Sequence, residues 1–291
     1  MTITAKMVKE LRDITGVGMM DAKKALTESN GDFESASDWL RQKGLAKAQK
    51  KSGRIAAEGL IGIKLSSNSA TLIEANCETD FVARNKEFQD MIIHILDNAA
   101  GKTTLSEILS STINDRTVDE FLIEKVASIG EKISLRRMQI LNGKYIGFYI
   151  HNSTSDYLGK IGVAVSLSSN NETLAKQIAM HVAASNPLAL SEEHLSDELI
   201  KKEQKLFTEQ ARESGKPENV IENMVKGKLK KFISEVTLLN QNFVIDPDMT
   251  IKEILEKNNN SILDYVRFEV GEGIEKASED FAEEVMKSIS S

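Results

Sequence analysis

Apolar residues along the chain recur at two spacings, and the places where one gives way to the other divide it. Met7, Leu11 and Ile14 fall on one face of a predicted first helix, and Thr4 is placed to cap it. Gly16-Val17-Gly18 interrupts that period, and Ala22, Ala25 and Leu26 restart it. Asn30-Gly31-Asp32 then turns the chain into a third helix carrying Phe33, Ala36, Trp39 and Leu40, which is expected to stop at Gly44. This predicts a compact three-helix unit, similar in size and glycine-bounded turn to a ubiquitin-associated-type domain. From Lys43 to Arg54 the pattern becomes basic and is read as a partly helical tether. Lys47, Lys50, Lys51 and Arg54 are more economically a solvated charge run than an acidic-surface or nucleic-acid contact.

The body of the chain then repeats itself. Leu60 to Ile63, a turn at Ser66-Ser67-Asn68, a strand through Leu72 and a helix from Asn85 form the first series. Tyr145 to Phe148, a turn at Asn152-Ser153-Thr154, a strand from Lys160 to Leu167 and a helix from Glu172 to Ser185 form the second. Thr117 with Glu120, and Thr250 with Glu253, read as capping boxes opening a further helix in each series. A last strand follows in both, through Ile133 and Leu135 in one and Val266, Phe268 and Val270 in the other. Two ββααβ units imply two small antiparallel sheets, each backed by helices, an α+β architecture.

The second series is interrupted after Asn186-Pro187. Leu199, Leu206 and Phe207 mark one amphipathic helix, and Gly215-Lys216-Pro217 turns the chain into another. The second helix carries Val220, Ile221, Met224, Val225, Leu229, Phe232 and Ile233. The pair predicts an antiparallel hairpin whose narrow seam serves either itself or a second copy of the chain. A closing helix, Ala277 to Ile289, places Phe281, Val285 and Ile289 on one face. The resulting division is 1–54 (three-helix domain and basic linker), 55–141 (first core unit) and 142–186 (second core unit, first part). It continues with 187–234 (hairpin insert), 235–273 (second unit, completed) and 274–291 (C-terminal helical module).

One connection does not read as a connection. Between the strand ending near Ala75 and the helix beginning near Asn85 lies Cys77-Glu78-Thr79-Asp80-Phe81-Val82. Turns favour glycine, proline and small polar residues, whereas this one sets an acid beside two apolar side chains. Either Phe81 and Val82 tuck under their own helix, or the segment offers them to something else.

Composition narrows the alternatives. The chain has 291 residues, enough for about two domains, with 37 basic and 44 acidic residues and a net charge of −7. That balance argues against a general nucleic-acid binder. Cys77 is the one cysteine, so no internal disulfide framework exists and a reducing cytoplasm is expected. No apolar run has the length of a membrane span, and the amphipathic N-terminus is not expected to be a signal peptide. Gly101-Lys102-Thr103 resembles the end of a phosphate-binding loop, but Leu96 stands where that motif needs glycine. His94, His151, His181 and His194 have no metal-ligand spacing, and neither a catalytic set nor a cofactor site is visible. A binding scaffold built on the three-helix unit and an RNA-associated protein using Lys47 to Arg54 are the rival classes.

The wording of several stretches decides among them. NCETDFVARN, containing Thr79, Asp80, Phe81 and Val82, closely resembles the signature of the bacterial translation elongation factor Ts family. VKELRDITGVGMMDAKKAL resembles that family's N-terminal domain, and the likeness runs on to Phe268-Glu269-Val270-Gly271-Glu272-Gly273. The resemblance implies a guanine nucleotide exchange factor for the GTPase elongation factor Tu, without nucleotide or metal of its own. It implies that Thr79 to Val82 act on the partner's magnesium and phosphate site. Phe81 would wedge between helices of the GTPase near the metal, and Asp80 would disturb its ligands electrostatically. Met19 and Met20 are implied near the partner surface, with core filling an equal reading, and His151 (in YIHNSTSDYLGKIGV) in a second contact. The matching insert in the family is a dimerisation element, and its C-terminal helix returns to the GTPase.

Overall fold

The computed structural model describes residues 2–275. The closing helix expected from Ala277 to Ile289 lies outside them.

Three helices open the chain: α1 (Ala5–Thr15), α2 (Met19–Glu28) and α3 (Phe33–Lys51). Thr4 caps α1 by accepting from the Met7 N–H, Gly16 closes it in the left-handed region at φ 69°, and Asp32 caps α3 through the Ser35 N–H. Val8, Leu11, Val17, Ala22, Ala25, Leu26, Ala36 and Leu40 form their common core. Two expectations fail here. Ile14 is 64% exposed and lines a cleft of about 320 Å³ against a helix of the first core unit, and Val8 takes its place in the core.

Nor does α3 stop at Gly44; it runs on to Lys51, so the basic tether is mostly helix. The reason is packing. Gly44 is buried against Ala127 and Ile123, where a Cβ would lie 3.5 Å and 3.8 Å from their side chains. Lys43 and Lys47 both pair with Asp21, Lys51 donates to the Gly130 carbonyl and Arg54 pairs with Glu78. The charge run is therefore largely spent within the molecule. Because those contacts at Gly44 are ordinary van der Waals distances, Gly44→Ala is expected to raise stability by about 0.5–1 kcal/mol through helix propensity. A higher thermal midpoint checks it, and Gly44→Leu should lower that midpoint by forcing the two helices apart.

The first core unit contains β1 (Glu58–Ser66), β2 (Ser69–Cys77), α4 (Asp80–Arg84), α5 (Lys86–Asn98), α6 (Leu105–Ser110), β3 (Thr112–Ile113), β4 (Arg116–Thr117), α7 (Val118–Ile129) and β5 (Ser134–Asn142). The second contains β6 (Tyr145–Ser155), β7 (Leu158–Leu167), α8 (Glu172–Ser185), α9 (Asp197–Arg212), α10 (Glu218–Val236), β8 (Asn242–Phe243), β9 (Asp246–Thr250), α11 (Ile251–Lys257) and β10 (Ile262–Glu269). The duplication goes further than the sequence pattern suggests. In each unit the second long strand lies between the other two, and a two-stranded ladder precedes the last helix. Those helices, α7 and α11, open on the two expected capping boxes.

The sheets are not separate, as expected, but one six-stranded sheet. Ile61 and Gly62 of β1 pair with Gly159 and Leu158 of β7, which satisfies backbone groups on the open side of β1 and at the start of β7 that β10 does not reach. Ile61, Ile63, Leu72 and Leu141 from one half meet Ile150, Ala164, Val266 and Phe268 from the other in a shared interior. The approach is close: a Cβ on Gly162 would lie 2.6 Å from Ile61 Cγ2. Helices α5 and α7 cover the outer face of the first half, and α8 and α11 that of the second. The turn expected at Asn152-Ser153-Thr154 is strand; the chain reverses at Asp156-Tyr157. Asn152 instead takes a positive φ of 48° near a register shift, as a single asparagine can within a bulged strand.

Inside the shared interior sits a charge. Glu74 on β2 is fully buried and accepts from Arg136, Arg137 (2.5 Å), Asn76 (2.9 Å) and the Gly271 N–H (2.8 Å). Burial pushes its pKa up, but the Gly271 N–H, Asn76 and Arg137 more than offset it, so the carboxyl lies below its ordinary value. Gly271, at φ 72°, tolerates no Cβ, because one would lie 2.3 Å from the Ala57 carbonyl oxygen.

Helices α9 and α10 form the expected hairpin, with Ala211, Ile221 and Val225 buried between them and Phe207 edge-on to Phe232. Leu206 and Val220 stay exposed, so Leu206 is not part of the seam. The insert costs the second unit little because its two ends are stitched together. Leu188 N–H donates to Val236 O at 2.8 Å, and Leu238 N–H to Ala189 O at 2.9 Å. Among the described residues no helix is long and apolar enough to cross a membrane.

Candidate functional site

Strand β2 ends at Cys77, and the segment expected to be an irregular turn is the start of a short helix. Thr79 is its N-cap, in extended conformation, with Oγ1 accepting from the Val82 N–H at 3.4 Å. Asp80 lies in the first turn, where a negative charge suits the helix dipole. Asn85 then ends α4 and caps α5 through the Glu87 N–H, the role expected of it.

Within this turn the two apolar side chains part company. Val82 is half-buried against the first unit's core, beside the fully covered Ala83. Phe81 is 84% exposed, the most exposed large apolar side chain among the described residues. An aromatic ring of that size held in water by a capped backbone contributes nothing to its own fold. Asp80 Oδ2 pairs with Arg84 Nη2 one turn along at 3.1 Å, both side chains being open to solvent.

The turn is held from behind by residues distant in sequence. Glu131, just after α7, accepts from the N–H groups of Glu78 and Thr79 at 3.0 Å each and from the Thr79 hydroxyl at 2.6 Å. In return Glu78 accepts from the Lys132 N–H at 2.5 Å and pairs with Arg54. Cys77 donates to the Thr79 carbonyl across 3.1 Å. Its thiol stays protonated for this, because burial and the neighbouring Glu131 carboxylate push its pKa up to about 12. Sequence reasoning missed Glu131, and no local signal marks it: Glu131 follows a helix-ending glycine much as any surface acid might.

Met19 and Met20, 45% and 78% exposed, begin α2 and do not fill the core. His151 is exposed near the end of β6, with Nδ1 3.1 Å from the Tyr149 hydroxyl. The seven residues singled out in the sequence thus lie at the surface of three separate elements, with Val82 partly covered. The remaining histidines are accounted for locally. His181 is fully buried, with Nδ1 accepting from the Val244 N–H and Nε2 against Gln241, and burial lowers its pKa. His194 bonds Ser191, and His94 lies beside Phe121. Gly101-Lys102-Thr103 follows the end of α5, where Lys102 bonds the Asn98 carbonyl. No three His, Cys, Asp or Glu side chains among the described residues are placed to hold a metal ion.

Comparison with known proteins places the chain. The sequence profile of the family described as Elongation factor TS matches residues 78–272, two thirds of its length. The chain belongs to that family. It is 52% identical over 289 residues to Elongation factor Ts of Dinoroseobacter shibae, with 99% of each chain covered. Against Elongation factor Ts of Roseobacter denitrificans the identity is 51% over 289 residues, and against that of Paracoccus denitrificans 52% over 292, again with 99% coverage. It is thus a translation elongation factor, of mixed helix and sheet. The matched span includes the Thr79 turn, Glu131, His151 and the helical hairpin. Met19 and Met20 lie outside the profile but within the near full-length likeness to these relatives.

Proposed function

We propose that the chain is the guanine nucleotide exchange factor of elongation factor Tu, and that Phe81 and Asp80 open the GDP site. The observation that carries this reading is the solvent-held Phe81 ring on a capped, braced turn in a member of this family.

The mechanism follows from what holds GDP. A GTPase grips the nucleotide through a phosphate-binding loop and a magnesium ion that neutralises phosphate charge. Release needs those contacts weakened and the empty state stabilised at once. Phe81, wedged between helices of the GTPase, exchanges water for apolar contact only when the partner has opened, so its burial energy favours the open form. Asp80 brings a negative charge towards the magnesium ligands, and Thr79 and Val82 keep the turn in shape. Met19 and Met20 on the three-helix unit and His151 on β6 grip the partner at two further places. By linkage, the factor that weakens nucleotide binding is itself released when nucleotide returns, so GTP and GDP are treated alike. The chain needs no cofactor and works in the cytoplasm; the magnesium and nucleotide are the partner's. Leu206 and Val220, left exposed on the hairpin, are the surface through which a second copy would associate.

The deciding measurement is release of a fluorescent GDP from the same organism's elongation factor Tu. Catalytic acceleration is expected at substoichiometric amounts of this protein. Release at the unassisted rate overturns the reading.

A further inference from the structure

We propose that Glu131 is a positioning residue for the Thr79–Val82 turn, setting the shape in which Phe81 meets the partner. The inference rests on the exchange reading above.

Helix α4 has five residues, too few to hold itself together, and its first turn leaves backbone N–H groups without partners. One carboxylate answers for the approach to it. Glu131 Oε2 takes the N–H groups of Glu78 and Thr79, and Oε1 takes the Thr79 hydroxyl. Bonds to an ionised acceptor are the stronger kind. The hydroxyl bond matters beyond its own energy. By donating its hydroxyl hydrogen bond to Glu131, Thr79 Oγ1 turns a lone pair towards the Val82 N–H, so Glu131 orients the helix cap.

The acid reaches the turn because Gly130, at φ 86°, redirects the chain after α7. Glu78 locks the arrangement from the other side through the Lys132 N–H, and Lys132 Nζ donates to the Arg54 carbonyl at 2.8 Å. Three distant segments therefore converge on a turn whose exposed Phe81 has nothing else to order it. A loose turn would have to be ordered at each encounter, and that cost would fall on the step in which the ring inserts.

The test uses the full chain and measures GDP release across a range of GTPase concentrations. Glu131→Ala is expected to lower kcat about tenfold with KM within about twofold, since the other contact surfaces are untouched. Glu131→Gln should recover to within about threefold, because its amide oxygen accepts both N–H groups and its NH₂ donates to Thr79 Oγ1. Combined with Asp80→Ala and Phe81→Ala together, Glu131→Ala should add no further loss, since it acts only through the position of those two side chains. Wild-type speed in Glu131→Ala, alongside a slow Phe81→Ala, overturns the positioning role and leaves the exchange reading intact. A further loss from Glu131→Ala in the background lacking both the Asp80 and Phe81 side chains overturns it as well. No acceleration by the wild type removes the exchange reading, and the inference with it. Should Glu131→Ala melt several degrees lower, Glu131→Asp replaces it, keeping the charge on an arm one methylene too short for all three donors. An Asp variant as fast as wild type would then overturn the proposal.

Discussion

Phe81→Ala is expected to slow assisted GDP release from elongation factor Tu by roughly ten- to a hundredfold, with no change in the protein's own stability. The size follows from the ring. Burying a phenylalanine side chain is worth about 1.5–3 kcal/mol, and each 1.4 kcal/mol is a factor of ten. The silence in stability follows from its surroundings: at 84% exposure the ring contributes no core contact, and surface substitutions usually stay within about 0.5 kcal/mol. Asp80→Ala should add a smaller loss of rate. Its pair with Arg84 is solvent-exposed and one helical turn long, worth about 0.3–0.5 kcal/mol to the fold, so any larger kinetic effect belongs to the partner. An undiminished release rate in the Asp80→Ala, Phe81→Ala double variant would sink the account of this turn.

The largest effect on stability is expected at Glu74. Glu74→Ala leaves Arg136, Arg137, Asn76 and the Gly271 N–H without their shared acceptor, and breaking a buried ion pair from one side costs about 3–5 kcal/mol. The lower end is the better expectation, because both arginine side chains keep 30% exposure and can hydrate in part. The pH dependence has a definite sign. The folded carboxyl titrates below its ordinary value of 4.5, so the unfolded chain binds the proton more readily. The contribution is therefore complete above pH 4.5 and is lost as pH falls through the folded value. Denaturation midpoints of wild type and variant should stand well apart at neutral pH and converge in acid. Faster amide exchange at Gly271 should accompany the loss, since that N–H donates directly to Glu74. Equal midpoints at neutral pH would mean that the network contributes no net stability.

What the amino-acid sequence settles here is local. Thr4, Asn85, Thr117 with Glu120 and Thr250 with Glu253 cap the helices they were expected to cap, because a cap needs only a side chain and the next three residues. The repeated order of strands and helices, the hairpin insert and the odd turn at Thr79 are legible for the same reason. The outcomes that differ all turn on neighbours from elsewhere in the chain. Gly44 reads as a stop until Ala127 packs against it, and Ile14 reads as core until α7 opens a cleft beside it. Two sheets become one through Ile61, Gly62, Leu158 and Gly159, a junction between strands nearly a hundred residues apart. At the candidate site the residue types and their spacing announce Phe81 and Asp80, but not that Phe81 stands in water while Val82 packs inward. Glu131 and Glu74 show the limit most plainly. A carboxylate in a sequence carries no sign of which backbone N–H groups or guanidinium groups will surround it. Its role is set by charge and hydrogen-bond geometry that exist only once distant segments have come together.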